Sequence, residues 1–171
     1  MIHVDKYERY YIIAIAIVLG IFFASVVAAA LIFGMRPAGV AGFIIPAEID
    51  QSEFANPGLR EVAPGRYQAH VVAQMWSFVA GSSERDEGGR EILRVPVGSE
   101  VTFYMTSRDV SHGFILEDHN LNFQVLPGHI ASGRVVLNRP GTYRMICHEY
   151  CGRAHQNMWF TLIVEEAAPA A

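Results

Sequence analysis

Residues 141–165 read GTYRMICHEYCGRAHQNMWFTLIVE. In the first part, Tyr143, Met145 and Cys147 share one face against Thr142 and Arg144, the period-two alternation of a half-buried strand. A second apolar run, Trp159 to Val164, follows. Between them, Cys147 to Met158 holds two thiols, the imidazole of His155 and a thioether within twelve residues. A loop joining two strand ends is where a sandwich presents chemistry at its tip. Working outward, Val101, Phe103 and Met105 alternate with Thr102, Tyr104 and Thr106, and Leu121, Phe123 and Val125 alternate with Asn122 and Gln124. Turn signals separate these runs at Val95-Pro96-Val97-Gly98, Leu126-Pro127-Gly128 and Asn138-Arg139-Pro140-Gly141. Short strands at this spacing from Tyr67 onward predict an antiparallel β-sandwich or small barrel.

The donor types point to a metal. Thiolate and thioether are soft and favour copper, imidazole serves copper or zinc, and His plus Cys with a weak Met is the pattern of copper electron-transfer sites. A second imidazole is needed, and His112, in the stretch Ser107 to Phe114 after the strand Val101–Thr106, is the best placed. Other readings stay open on the residues alone. Cys147 and Cys151 are spaced for a small local disulfide, and a Cys2His2 zinc site fits the donor count but gives Met158 no role. Met158 or His112 taken singly reads as core filler. His3, His70, His119, His129 and His148 read as surface or packing residues, with His119 and His129 flanking the strand that follows His112.

The chain has 171 residues, 51% hydrophobic and 18% charged, which excludes a disordered protein and suits one domain with an accessory segment. Two cysteines four apart exclude a disulfide scaffold. Scattered arginines and a net charge of −4 argue against nucleic acid as a partner. The apolar excess sits at one end. From Ile12 to Phe33, 22 residues carry no charge and only Ser25 is polar, enough as a helix to reach roughly 33 Å and cross a bilayer. That run exceeds the apolar region of a signal peptide, so a retained anchor is expected. Lys6 and Arg9 precede it and only Arg36 follows closely, which puts the N-terminus in the cytoplasm and the rest outside. The expected organisation is an anchor over 1–36, a linker over 37–61 marked by Pro37, Gly39, Gly42, Pro46, Pro57 and Gly58, a β domain over 62–166, and a disordered tail over 167–171. Residues 37–171 carry ten Arg against fifteen Asp and Glu, an acidic balance that steers a basic partner.

The pattern Cys-x-Glu-x-Cys-x3-His-x2-Met over 147–158, with Ser-x-Asp-Val-x-His-x-Phe over 107–114, resembles the dinuclear copper (CuA) domain of cytochrome c oxidase subunit II. The resemblance extends from about Tyr67 to Glu165, and it implies an all-β, cupredoxin-like Greek-key sandwich preceded by one transmembrane α-helix. By position it implies that Cys147 and Cys151 bridge two coppers, that His112 and His155 each terminate one, and that Met158 and the backbone carbonyl of Glu149 are weak ligands. The single span resembles the short subunit II of B-type haem-copper oxidases, whose missing helix a small single-helix subunit would supply. Tyr7-Glu8-Arg9 resembles a stretch that places Glu8 at the mouth of a proton channel in subunit I; an ordinary boundary charge is the competing reading. The resemblance also implies possible Mg²⁺ binding by the Glu149 side chain at the subunit interface, and electron entry at Trp76 within Gln74-Met75-Trp76-Ser77-Phe78.

The function so implied is the electron-entry subunit of a terminal haem-copper oxidase in the plasma membrane, with its copper domain on the periplasmic or outer face. It would pass electrons from cytochrome c or a small copper protein to haem in subunit I, where haem and CuB reside. This chain carries no oxygen site. The competing functions are the CuA subunit of a nitric oxide reductase and a membrane-anchored copper chaperone. A chaperone of that kind has a thioredoxin-like fold and a downstream His, against the all-β pattern here.

Overall fold

The computed structural model describes residues 5–32 and 39–166. Phe33, Arg36, Pro37, His3 and the tail 167–171 lie outside the described residues. The chain divides into two units, Met1–Arg36 and Pro37–Ala171.

The first unit is helix α1, Lys6–Ile32. Asp5 opens it: its side chain accepts the Tyr7 N–H at 2.8 Å, and its own N–H donates to the Glu8 carboxylate at 3.2 Å, a reciprocal cap of the first turn. The one hydroxyl in the apolar run is satisfied inside the helix, Ser25 Oγ donating to the Ile21 carbonyl at 2.8 Å. Twenty-seven residues give about 40 Å of helix with no buried residue. Its length and apolarity suffice to cross a membrane.

The second unit is a sandwich of two sheets. Strands β1 (Gly39–Phe43), β2 (Gly58–Ala63), β3 (Arg66–Gln74), β4 (Ser77–Val79), β6 (Ser99–Ser107) and β9 (His129–Leu137) form the first sheet, in the order β1-β9-β6-β3-β2 with β4 paired to β3. Strands β5 (Ile92–Pro96), β7 (His112–Leu116), β8 (Asn122–Val125), β10 (Gly141–Ile146) and β11 (Trp159–Glu165) form the second, in the order β5-β11-β10-β7-β8. The chain passes repeatedly from one sheet to the other, the Greek-key habit of the cupredoxin-like fold. Pairing is mixed: β3 lies parallel to β6 and β11 parallel to β5, because in each case the connection crosses sheets before returning. An all-antiparallel sandwich was the expectation from the alternating runs.

The alternation in sequence becomes the core. Ala69, Val71, Ala73, Val101, Phe103 and Met105 face inward from the first sheet against Leu116, Phe123, Met145, Phe160 and Leu162 of the second. Phe114 sits at the centre, its ring 5.2 to 6.1 Å from those of Phe78, Phe103, Phe123 and Phe160.

Of residues 37–61, expected to form a linker, the described residues 39–61 contribute instead β1, most of β2 and a strap between them. A short 3-10 turn, Pro46–Gln51, starts the strap. Ile49 and Phe54 are fully buried with Val72, packed by Ile44, Val79, Tyr104 and Ile130, so the strap covers the outer face of the first sheet. The prolines and glycines that suggest a linker mark its bends; the two buried side chains that hold it down stand alone in sequence, without periodicity.

Candidate metal centre

The loop from Cys147 to Met158 leaves the end of β10 and re-enters at β11. Its neck is closed by the Cys147 N–H donating to the Met158 carbonyl at 3.0 Å. Within it, His155 N–H bonds to Gly152 O, Asn157 N–H to Ala154 O and Met158 N–H to His155 O, at 2.9 to 3.1 Å, so the loop is braced by its own backbone. His112 is the first residue of β7, beside β10 in the same sheet.

These elements bring the expected ligands together. His112 Nδ1 lies 3.8 Å from Cys147 Sγ, the two sulfurs are 3.9 Å apart, and His155 Nδ1 lies 3.5 Å from Cys151 Sγ. Met158 Sδ is 3.6 Å from Cys151 Sγ, and the Glu149 carbonyl oxygen is 3.3 Å from Cys147 Sγ. His112, Cys147, Cys151 and Met158 are buried, while His155 and Glu149 are half-buried. Both cysteines are free thiols. Among the described residues, His112, Cys147 and Cys151 form a compact group able to hold a metal ion. The other expected donors border that group from both sides. His70, His119 and His129 are engaged elsewhere, each ring packed on an aromatic neighbour: Tyr104, Tyr143 and Phe43 respectively.

The electrostatics suit a soft cation. Burial opposes ionisation of Cys147, but the His112 ring and the backbone at Gly113 and Glu149 outweigh it and hold the thiol below its ordinary pKa. Burial and the neighbouring Cys147 push the Cys151 thiol up to about 12. Burial also opposes charge on His112, yet Cys147 and Asp109 raise its pKa above the usual value. Two thiols this close cannot both ionise in a dry pocket without a cation between them.

Asp109 is the functional residue that carried no role in the sequence. Its Oδ1 accepts from His112 Nε2 at 2.8 Å and its Oδ2 accepts the Met75 N–H at 2.7 Å. A carboxylate on the far nitrogen fixes the tautomer, leaves Nδ1 free toward the sulfurs and raises the ring's basicity. Its signals in the sequence were its fixed place in Ser-x-Asp-Val-x-His-x-Phe and its i, i+3 spacing from His112. Two glycines make room around the loop. A Cβ on Gly152, whose φ is +122°, would lie 2.8 Å from Trp76 Nε1, so the indole rests on the ligand loop; one on Gly113 would lie 2.6 Å from the exposed His148 ring. Trp76 is 38% exposed at this spot.

The family described as Cytochrome C oxidase subunit II, periplasmic domain, matches residues 64–167. The chain is 37% identical over 136 residues to cytochrome c oxidase subunit 2 of Thermus thermophilus, covering 78% of this chain and 93% of that one.

This chain belongs to the cytochrome c oxidase subunit II family.

A chain of a heme-copper terminal oxidase dimer superposes on this subunit II with a TM-score of 0.75 at 29% identity, covering 94% of this chain and all of that one. A nitrous-oxide reductase of Cupriavidus necator shares only a domain with it, 36% identical over 77 residues and 12% of that protein's length. As subunit II, the chain is the electron-entry subunit of a cytochrome c oxidase, an oxidoreductase, and associates with subunit I of a haem-copper oxidase complex. Copper is the metal the family implies, and the donor set fits it: two buried thiols, two imidazoles and a thioether are soft to borderline ligands. Helix α1 suits a membrane-anchored subunit.

Proposed function

We propose that the six donors hold two coppers rather than one: Cys147 and Cys151 bridge the pair, His112 and His155 each bind one metal, and Met158 and the Glu149 carbonyl are weak outer ligands. One observation carries this reading. Each thiol has its own imidazole and its own further donor, His112 and the Glu149 carbonyl beside Cys147, His155 and Met158 beside Cys151. A single tetrahedral zinc would use the thiols and imidazoles and leave the last two donors without purpose. The group supplies one-electron transfer at a site whose bonds change little with redox state. The chain's own part is to hold the ligands still, by the closed loop neck and the Asp109 bond to His112, and to keep water away from the sulfurs.

Electrons enter from cytochrome c or a small copper protein at the tip of the sandwich. Met75, Trp76, Val110 and Tyr150 are exposed there, apolar and aromatic side chains beside the charged Arg108, Asp109 and Arg153. Trp76, resting on Gly152, is the residue assigned to entry. The half-buried Glu149 carboxylate would take Mg²⁺ at the subunit I interface, oxygen being the donor a hard cation requires. Glu8 is assigned to proton entry; its capping bond to Asp5 is the competing role. Lys6 and Arg9 before the anchor, with no Lys or Arg in the apolar run, support an N-terminus in the cytoplasm and a copper domain outside the plasma membrane, with a small single-helix subunit completing the membrane part.

A redox titration of the purified full chain against reduced cytochrome c tests the reading. The uptake expected is one electron per two coppers. Two electrons per two coppers, or none, would reject the shared pair.

A further inference from the structure

A bidentate ion pair joins the strap to the turn that carries the metal ligand. Arg108 Nη1 donates to Asp50 Oδ2 at 2.9 Å and Nη2 to Asp50 Oδ1 at 2.7 Å, across 58 residues of sequence. Both ends are seated. Asp50 follows Ile49, whose fully buried side chain pins the strap to the sheet, and the Arg108 backbone N–H donates to the Ala73 carbonyl at 3.0 Å. The next residue after Arg108 is Asp109, whose carboxylate holds His112 Nε2. The turn itself is short: Ser107 Oγ donates to the Val110 carbonyl and Asp109 Oδ1 accepts the Val110 N–H at 2.7 Å.

The pair is poorly explained as a source of stability. The Asp50 side chain is 71% exposed and that of Arg108 38%, and exposed pairs contribute little to folding. Their fork geometry, however, fixes direction as well as distance. A guanidinium held at two points restricts the backbone at residue 108 and hence the direction in which the Asp109 side chain leaves the turn.

From this geometry we infer that Asp50 and Arg108 are positioning residues for the copper site: the ion pair braces the 107–111 turn so that Asp109 keeps its hydrogen bond to His112. The inference rests on the copper reading of that site given above. A carboxylate bonded to the far nitrogen of a ligating imidazole raises its basicity and so favours the oxidised metal. Loosening the brace weakens that bond and raises the reduction potential.

Charge alone gives a different pattern, and the full chain distinguishes the two. Asp50→Asn removes a negative charge and the fork, so the potential rises on either account. Arg108→Lys keeps the charge but loses the planar fork. The brace predicts a rise here too, smaller than that of Asp50→Asn, whereas a purely electrostatic role predicts no change. In the copper-free chain, solvent exchange of the His112 Nε2 proton, followed by nuclear magnetic resonance, should quicken several-fold in both variants. An unaltered potential in Arg108→Lys together with unaltered proton exchange would overturn the inference. The copper-free measurement separates it from the reading it rests on: two coppers per wild-type chain decide that reading, while the exchange rate reports the brace with no metal bound.

Discussion

The tip of the sandwich and the strap on its flank are held by opposite means. At the tip, polar and soft side chains are buried, fixed by backbone hydrogen bonds of the ligand loop and, for His112, by Asp109; Met158, Cys147, Cys151 and His112 are each at most 4% exposed. On the flank, two apolar side chains, Ile49 and Phe54, are buried, and the polar contacts lie outside them, Asp50 with Arg108 and Glu53 with His70. The tip gives up stability for function, since packed thiols and a buried imidazole would be costly without a cation. The flank gains stability from burial, and its one link to the tip is the Asp50–Arg108 pair. Substitutions of the buried side chains in the two regions should therefore separate: those of the thiols at the tip remove the metal and spare the fold, those of Ile49 and Phe54 on the flank weaken the fold and leave the metal bound.

The largest effects break one side at a time. Cys147→Ser or Cys151→Ser should abolish the copper pair while circular dichroism shows the sandwich intact; retained copper content would reject the ligand assignment. Phe54→Ala should lower folding stability by about 3 to 5 kcal/mol, the usual loss for a buried aromatic, with two coppers still bound at low temperature. Denaturant unfolding with metal analysis reads both quantities, and loss of copper in the folded variant would erase the contrast between the regions.

Smaller effects sharpen it. Met158→Leu conserves volume, so both coppers should remain and the potential should rise, because a thioether donates weakly to the oxidised form. If unfolding occurs instead, Met158 is a core residue. On the flank, His70 is the pH-sensitive group. Burial, opposed by Glu53 and reinforced by Arg60, holds its pKa below the ordinary value. The ring is therefore neutral at pH 7, and its 3.5 Å contact with the Glu53 carboxylate is not an ion pair there. The unfolded chain takes up this proton at about pH 6.5, before the folded chain does. The stabilisation is thus complete above that pH, is lost as pH falls toward the folded pKa, and changes no further below it. His70→Gln should flatten that part of the stability curve; an identical curve would show that the acid sensitivity lies elsewhere.

The tip was legible in the sequence and the flank was not, for a physical reason. Six candidate donors within two short segments, 107–114 and 147–158, stand out by type and spacing, and the flanking alternation of Tyr143, Met145 and Cys147 fixes where the loop begins. The strap is fixed by contacts that skip along the chain: Phe54 reaches His70, and Asp50 reaches Arg108. No local period marks such residues, and the prolines and glycines around them suggest a linker. Asp109 stood between these cases. It lies inside a recognisable motif, but its bond to His112 Nε2 needed the turn to be seen.

The most direct test of the central claim is electron spin resonance of the oxidised, copper-loaded full chain, with metal analysis of the same sample. Two coppers per chain and hyperfine structure from a single spin shared equally by two copper nuclei are predicted. One copper per chain, or a spectrum from one nucleus alone, would contradict the shared pair and with it the electron-relay role assigned to Cys147 and Cys151.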